Sequence, residues 1–291
     1  MFQDQVLIGV LDDRVEVPAE AGVTKVGGVP HWICAEPSEF SACNCPHCGS
    51  KLGLLVSADC PVSSGYDRVI FLFICPRCGK EARAWRQKKI SPLEDEDIIP
   101  IPKAPEPVKE KNTNDLLAAL DAFNMAPTPT QTTNKQQKKG KKKPKVQYET
   151  GAFPAYYVSI FDEPEAMLDP DRPVIISGSA DSTGSDMAEE DGAEVDPILV
   201  EFNERISRVP NQVLRYSRGS EPLLQDPLEI VAPPCPCCGA PRVFEFEVIP
   251  TVIYMLAPDS EELDFGPILV YTCANDCGEG TFTEHCVICP P

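Results

Sequence analysis

Cysteines occur in this chain as closely spaced pairs, and the pairs come in twos. The segments CPHCG at 45–49 and CPRCG at 75–79 bracket one apolar, β-branched stretch. The segments CPCCG at 235–239 and CANDCG at 273–278 bracket another. Two residues between cysteines let both thiolates reach one tetrahedral ion, and the glycine that follows permits a left-handed turn that directs backbone N–H groups at the sulfurs. This spacing is typical of a zinc ribbon.

The paired arrangement favours structural zinc over redox chemistry. A thioredoxin-like pair would stand alone before a helix in a βαβ unit, whereas these knuckles flank strand-like stretches. We therefore predict two structural zinc ions, each held by four thiolates. The predicted ligands are Cys45, Cys48, Cys75 and Cys78 for the first ion and Cys235, Cys238, Cys273 and Cys277 for the second.

The second site leaves one alternative open. Its closing pair, Cys273 and Cys277, has three intervening residues, and a further pair, Cys286 and Cys289, follows just beyond. Either pair could complete a site with the cysteines of the CPCCG segment. Correspondence with the first hairpin favours Cys273 and Cys277.

No arrangement of residues predicts a catalytic centre. The three histidines, His31, His47 and His285, are scattered, and neither a nucleophile elbow nor a phosphate-binding loop occurs. We therefore expect a monomeric binding protein and not an enzyme.

The charge argues against a body that binds nucleic acid. The chain has 26 Lys and Arg against 45 Asp and Glu, a net charge of −19. Seven of the positive charges are lysines within 135–145, so the rest carries 19 against 45, or −26. Such a body repels phosphate backbones and attracts basic polypeptides. The alternative is a zinc-ribbon RNA- or DNA-associated regulatory factor that uses the basic linker.

The chain also lacks the sequence features of a membrane protein. No apolar run approaches the length of a membrane span, and the acidic stretch at the N-terminus is too short for a signal peptide. We expect an intracellular protein, in which paired cysteines indicate metal binding and not disulfides.

The elements around the cysteines are predicted to be mainly β, with minor α. Similar elements occur twice, which predicts an internally duplicated β-rich body with a cysteine knuckle hairpin in each half. The last hairpin is expected to use RVFEFEVIPTVIYML and GPILVYTC as its strands, and PILVEFNERISRVP is expected to be a helix. The expected divisions are an N-terminal β half with a zinc ribbon at 1–90, a disordered linker at 91–148, a strand segment joining the body at 149–172, an acidic linker at 173–195 and a C-terminal β half at 196–291.

Two stretches of the long linker resemble transport signals. The apolar stripe of DLLAALDAFNM is formed by Leu116, Leu120, Phe123 and Met125, and the basic run contains Lys138, Lys139, Lys141, Lys142 and Lys143. The stripe reads as a nuclear export signal or as a short helix that docks on the body. The basic run reads as an import signal or as a solvated lysine tract. Together they favour shuttling between nucleus and cytoplasm, with an export receptor as one partner.

The segment NQVLRYSRG places unusual residues in an acidic half. Arg215, Tyr216 and Arg218 are equally consistent with internal ion pairs and with a partner-binding role.

These motifs carry a family resemblance. The stretch TKVGGVPHW from position 24, the early knuckles, GAFPAYYV, NQVLRYSRG and the last cysteine hairpin resemble the programmed cell death protein 2 family across both ordered halves. No MYND insertion is present, so the chain is more similar to the programmed cell death protein 2-like branch. The ending TFTEHCVICPP departs from the usual aromatic ending of the family.

The resemblance implies a chaperone without enzymatic activity. Family members act in small ribosomal subunit biogenesis and capture newly made ribosomal protein S five of the universal nomenclature, S two in eukaryotic naming, through its basic extension. The resemblance therefore implies a cotranslational escort. We expect a groove between the duplicated halves, where an extended peptide adds hydrogen bonds along a strand edge.

Overall fold

The fold is built from ten β-strands in a computed structural model that describes residues 5–17, 20–91, 147–165, 196–260 and 262–291. The predicted export and import stretches lie outside these residues. The described strands are β1 Leu7–Arg14, β2 Lys25–Val26, β3 Gly53–Asp59, β4 Tyr66–Ile74, β5 Ala82–Ile90, β6 Tyr156–Asp162, β7 Gln212–Tyr216, β8 Arg242–Val248, β9 Ile268–Cys273 and β10 Gly280–Ile288. Two helices, α1 Pro197–Arg208 and α2 Val252–Leu256, accompany them, so the prediction of a mainly β fold is confirmed.

The strands close into one barrel in the order β1-β6-β2-β3-β4-β5-β10-β9-β8-β7. Exchanging β1 with β6, β2 with β7 and so on up to β5 with β10 leaves this order unchanged. Two junctions, β1 with β6 and β5 with β10, pair equivalent strands antiparallel, as a two-fold axis requires. Strands β1 to β5 therefore form one half of the barrel, and strands β6 to β10 form the other.

A β-bulge marks the same point in both halves. The register shifts at Leu55 where β3 pairs with β4, and at Glu245 where β8 pairs with β9. Each bulged residue lies ten positions after the first cysteine of the cluster in its half, 45 to 55 and 235 to 245. Because a bulge inserts one unpaired residue at a defined place, its recurrence supports the predicted duplication.

Closure of the barrel corrects one expectation about the two halves. Strand β5 pairs with β10, and β1 pairs with both β6 and β7. The halves therefore share one continuous sheet, and no open strand edge runs between them at these junctions. The expected peptide groove between the halves is wrong.

Alternation along the strands separates an interior from an outer face. In β4, Ile70, Leu72 and Ile74 are fully buried among apolar residues of both halves, including Phe246 and Val270. The intervening residues of β4 form a second buried cluster on the outer face. Both faces of this strand are apolar, as expected for a strand covered on both sides.

Helix α1 begins where the sequence analysis placed it. Asp196 caps its N-terminus by accepting a hydrogen bond from the N–H of Ile198 at 2.9 Å, and Pro197 occupies the first turn, where its missing N–H costs nothing. Phe202 is buried, and Arg205 and Arg208 lie in the last turn, where positive charge is favourable. The predicted helix is confirmed.

The predicted extension of strand β8 through TVIYML is wrong. Strand β8 ends at Val248, and residues 252–256 form the short helix α2. Pro250 cannot donate a ladder hydrogen bond, and the Thr251 hydroxyl instead binds the carbonyl of Gln212. Among the described residues, no helix is both long and apolar enough to cross a membrane.

Candidate metal centres

The first four predicted ligands form one cluster at the ends of β3, β4 and β5. The Sγ atoms of Cys45 and Cys78 are 3.6 Å apart, and those of Cys48 and Cys75 are 3.4 Å apart. Four sulfurs at about 2.3 Å from a tetrahedral zinc ion would be about 3.8 Å from one another. The cluster is therefore slightly tighter than a zinc site, and small side-chain movements would fit the ion.

Backbone turns hold these thiols in place. The N–H of Gly49 donates to the carbonyl of Cys45 at 2.8 Å, and Gly49 has φ of 74°, in the left-handed region that favours glycine. Gly79 repeats the arrangement with φ of 64°. Hydrogen bonds from Ser50 lower the pKa of Cys48 to about 6, which favours the thiolate form that binds metal.

The second cluster joins the other four predicted ligands. The Sγ atoms of Cys235 and Cys277 are 3.6 Å apart, and those of Cys238 and Cys273 are 3.5 Å apart. In each cluster all four sulfurs lie within 4.8 Å of one another, so both could hold a metal ion, consistent with zinc.

The alternative ligands lie elsewhere. Cys286 packs against the barrel interior, and Cys289 belongs to an apolar cluster with Phe244 and Tyr271 on the outer face. Burial raises the pKa of both thiols, to about 12 for Cys286 and about 11 for Cys289. The structure therefore groups Cys273 and Cys277 with the CPCCG cysteines, and leaves the other pair in the core.

The extra residue of the CANDCG knuckle has a structural role. Asp276 is the one non-glycine residue with positive φ among the described residues, at 44°. This conformation turns its carboxylate into the barrel, where Arg68 Nε donates to Oδ1 at 2.7 Å and Lys88 Nζ lies 2.7 Å from Oδ2. Arg86 lies 3.3 Å away on the same carboxylate. The knuckle of the second half thus binds three cations from the first half.

Glu245, the bulged residue of β8, continues this network inside the barrel. Its carboxylate accepts two hydrogen bonds from Arg68, at 2.9 and 3.0 Å, and others from Arg218, Thr272 and Tyr216. Burial alone would raise the pKa of Glu245, but Arg68 and Arg218 hold it below its usual value. A fully buried carboxylate is tolerated here because each oxygen is hydrogen-bonded to a cation.

Sequence reasoning missed this network, although a signal for it exists. Arg68 lies on the same face of β4 as the interior residues Ile70, Leu72 and Ile74, because side chains two positions apart in a strand point the same way. A charged residue at a core position predicts a buried partner. No local sequence pattern identifies the partners of Arg68, because Glu245 and Asp276 are 177 and 208 positions away.

The residues predicted to bind a partner occupy internal positions. Arg218 binds Glu245 and the carbonyl of Cys273, and the Tyr216 hydroxyl donates to Glu245 at 2.9 Å. Arg215 bridges Glu163, at 2.9 Å, and Glu247, at 3.2 Å. A direct partner-binding role for Arg215, Tyr216 and Arg218 stays a prediction.

Comparison with known proteins supports the resemblance. Residues 196–289 match the family profile described as "Programmed cell death protein 2, C-terminal putative domain". No solved structure matches the chain.

Full-length relatives extend the match beyond this domain. "Programmed cell death protein 2" of Bos taurus is 27% identical over 91% of the chain and 89% of that protein. "Programmed cell death protein 2-like" of Mus musculus is 27% identical over 94% and 91%. "Probable 20S rRNA accumulation protein 4" of Schizosaccharomyces pombe is 39% identical over 26% of the chain and 22% of that protein. The resemblance to the programmed cell death protein 2 family is thus confirmed over most of the chain.

Proposed function

We propose that the chain is a dedicated chaperone for a basic small-subunit ribosomal protein, S five of the universal nomenclature, during ribosome assembly. The relatives point to ribosome biogenesis, since one is named for accumulation of 20S rRNA. The choice of a protein client over an RNA one rests on the surface charge of the body.

The body is acidic because its carboxylates outnumber its cations, and many of those cations are already paired inside the barrel. The described residues contain 15 Lys and Arg against 27 Asp and Glu, a net charge of −12. Seven of these cations have side chains at most 15% exposed and are ion-paired to acids of the same body. They are Lys25, Arg68, Arg86, Lys88, Arg215, Arg218 and Arg242. The other eight cations are outnumbered by the acids that remain outside these pairs, so the surface keeps an acidic excess that repels phosphate.

This charge distribution suits a carrier of basic polypeptides. A free ribosomal protein segment rich in Arg and Lys binds RNA nonspecifically, and an acidic carrier competes for it. We propose that the carrier acts cotranslationally and without catalysis, as a monomer with two structural zinc ions. We also propose that it moves between cytoplasm and nucleus, using the linker stretches named above.

Co-purification and depletion test the proposal. Native complexes isolated from cells should contain the client in stoichiometric amount, and cells depleted of the chain should lose soluble client and small subunits. Binding to the client's isolated basic segment should weaken with salt and leave a residual apolar component. If depletion changes neither client solubility nor small-subunit levels, the chaperone role is wrong.

A deletion of 135–145 separates the proposal from a nucleic-acid role. The shortened chain should still bind the client, because the acidic body remains intact. Salt-dependent RNA binding by the shortened chain would instead favour the RNA-associated factor.

A further inference from the structure

A cleft of about 460 Å³ lies on the outer face of the second half. Helix α1 forms one wall, the loop 217–227 forms the other, and β7 with β8 forms the floor. Ile198, Leu224 and Phe244 are among the apolar residues of its walls, and Ile198 is 37% exposed. The cleft is therefore open to solvent and partly apolar.

In the first half, an aromatic cluster covers the outer face of β4 and β5. There the loop after β2 places Trp32 and Phe40 on the sheet, with the Trp32 ring centroid 4.4 Å from that of Phe71. Phe73 and Trp85 complete this aromatic cluster. The equivalent strand of the second half, β9, is covered as well, by Leu224 and Ile230, so the cleft lies beside this cover, over β7 and β8.

The strands equivalent to the cleft floor, β2 and β3, have a different residue at the position of Glu247. Two positions beyond the bulge, Lys25 pairs across the ladder with Ser57 in the first half, and Arg215 pairs with Glu247 in the second. The second half therefore has an additional buried carboxylate. The side chain of Glu247 is 2% exposed, and it lies at the floor of the cleft.

Glu247 is incompletely compensated by its neighbours. It is 3.2 Å from Arg215 Nε and accepts a hydrogen bond of 3.2 Å from the N–H of Leu223. Arg215 is shared with Glu163, which also binds Arg205 of α1. Burial raises the pKa of Glu247 to about 8, whereas Arg205 and Arg215 overcome burial and hold the pKa of Glu163 below its usual value. One more cation near Glu247 would be stabilised.

The rim adds charge of the same sign. Glu221 and Asp226 are exposed at the mouth and have no ion-pair partner among the residues that the structure describes. Glu201 is 3.8 Å from Arg205, at the limit of an ion pair. The cleft thus combines apolar walls with four acidic groups against two arginines, Arg205 and Arg215, and this acidic excess is complementary to basic side chains with aliphatic stems.

We propose that this cleft is the docking site for an extended basic segment of the partner protein, which inserts an arginine or lysine side chain toward Glu247. The inference rests on the proposed function and specifies where the client binds. The walls contact the aliphatic stem of the inserted side chain and apolar neighbours in the segment. Glu221 and Asp226 bind further cations along it.

Charge reversal at the rim tests the proposal in the full chain. Binding is measured by fluorescence anisotropy with two synthetic peptides, one carrying the client's basic segment and one of alternating arginine and leucine. The E221K/D226K variant should bind both at least about tenfold more weakly than the unmodified chain, because like charges now face each other. The matched control, E20K/D259K, has the same net charge, alters exposed acids outside the cleft, and should bind within about twofold of the unmodified chain.

The outcomes separate the cleft from the function. If the client peptide binds equally well to both variants, the cleft is not its site, and the chaperone proposal stands. If only the arginine–leucine peptide binds, and E221K/D226K weakens that binding, the cleft is a site for basic peptides and the named client is wrong. If neither peptide binds the unmodified chain, both proposals fail. The E247Q variant should weaken peptide binding independently of the rim, and unchanged binding would overturn the role of the floor.

Discussion

Asp276 and Arg68 are joined inside the barrel, with the arginine Nε 2.7 Å from the aspartate Oδ1. The aspartate belongs to a cysteine knuckle of the second half, and the arginine to a strand of the first. The contact therefore ties the second cysteine cluster to the pairing of the two halves.

Replacing Asp276 with asparagine should destabilise the protein without removing its metal. Arg68 would keep Glu245 and Arg86 would keep Glu284, but Lys88 would lose its carboxylate partner, and leaving a buried charge unpaired costs about 3–5 kcal/mol. The free energy of unfolding, measured with urea, should fall by that amount while the zinc content is unchanged. N275A, at the exposed neighbouring position, should unfold like the unmodified chain. A loss below about 0.5 kcal/mol for D276N would contradict the role given to this carboxylate.

The metal content should be two zinc ions per chain. Cys237 and Cys238 are adjacent, and only Cys238 belongs to a cluster, so they form a matched pair. C238S should lower the zinc content to about one, and C237S should keep two, as measured by elemental analysis. Because structural zinc supplies about 10–16 kcal/mol of apparent binding energy, strong chelators should unfold the protein. Fewer than one zinc ion per natively purified chain would refute the assignment.

Titration of Glu247 should lower the free energy of unfolding as pH rises. Its pKa in the folded chain is about 8, against an ordinary value of 4.5. Between these values the folded state holds a proton that the unfolded state has released, so the stabilising proton is lost as pH rises through 8. Charged and titratable neighbours are Arg215 on β7, Arg205 on α1, Glu163 after β6, and Tyr271 and Cys289 beside it.

The size of this effect is measurable with one conservative variant. The contribution of Glu247 should decline by up to about 1.4 kcal/mol per pH unit within this window. E247Q should lack that decline, whereas E229Q, at an exposed position, should follow the unmodified chain. Urea unfolding from pH 5 to 9 provides the comparison. Parallel curves for E247Q and the unmodified chain would show that the carboxyl does not titrate abnormally.

The export prediction can be tested in cells. Replacing Leu116, Leu120 and Phe123 with alanine should make the protein accumulate in the nucleus, since an export receptor reads a hydrophobic stripe in a groove. Replacing Thr128, Thr130 and Thr132 with alanine in the same linker provides a control that leaves the stripe intact. An unchanged nuclear fraction would remove the shuttling proposal.

The sequence was sufficient for features that short-range chemistry decides. Cysteine spacing identified both clusters because two thiols on one tight turn reach the same ion. The segment PILVEFNERISRVP predicted α1, and the apolar, β-branched stretch between the first two knuckles contains β3 and β4.

Long-range pairing lay beyond such reasoning. The side chain of Gln87 binds the Thr281 hydroxyl across 194 positions of sequence, and nothing local to either strand specifies this partner. Closure of the barrel also explains the missed network, because residues such as Glu245 become interior only when the ring is complete. The strand predicted beyond Pro250 failed because apolar, β-branched residues do not distinguish a strand from a short buried helix.

The symmetry of the ring has an evolutionary consequence. A barrel whose end strands pair with their own equivalents does not require both halves on one polypeptide, since two identical five-strand subunits related by a rotation of 180° would close the same circle. In such a homodimer, every mutation would change both subunits at once. On one polypeptide the equivalent positions can differ, as Leu55 and Glu245 do at the two bulges.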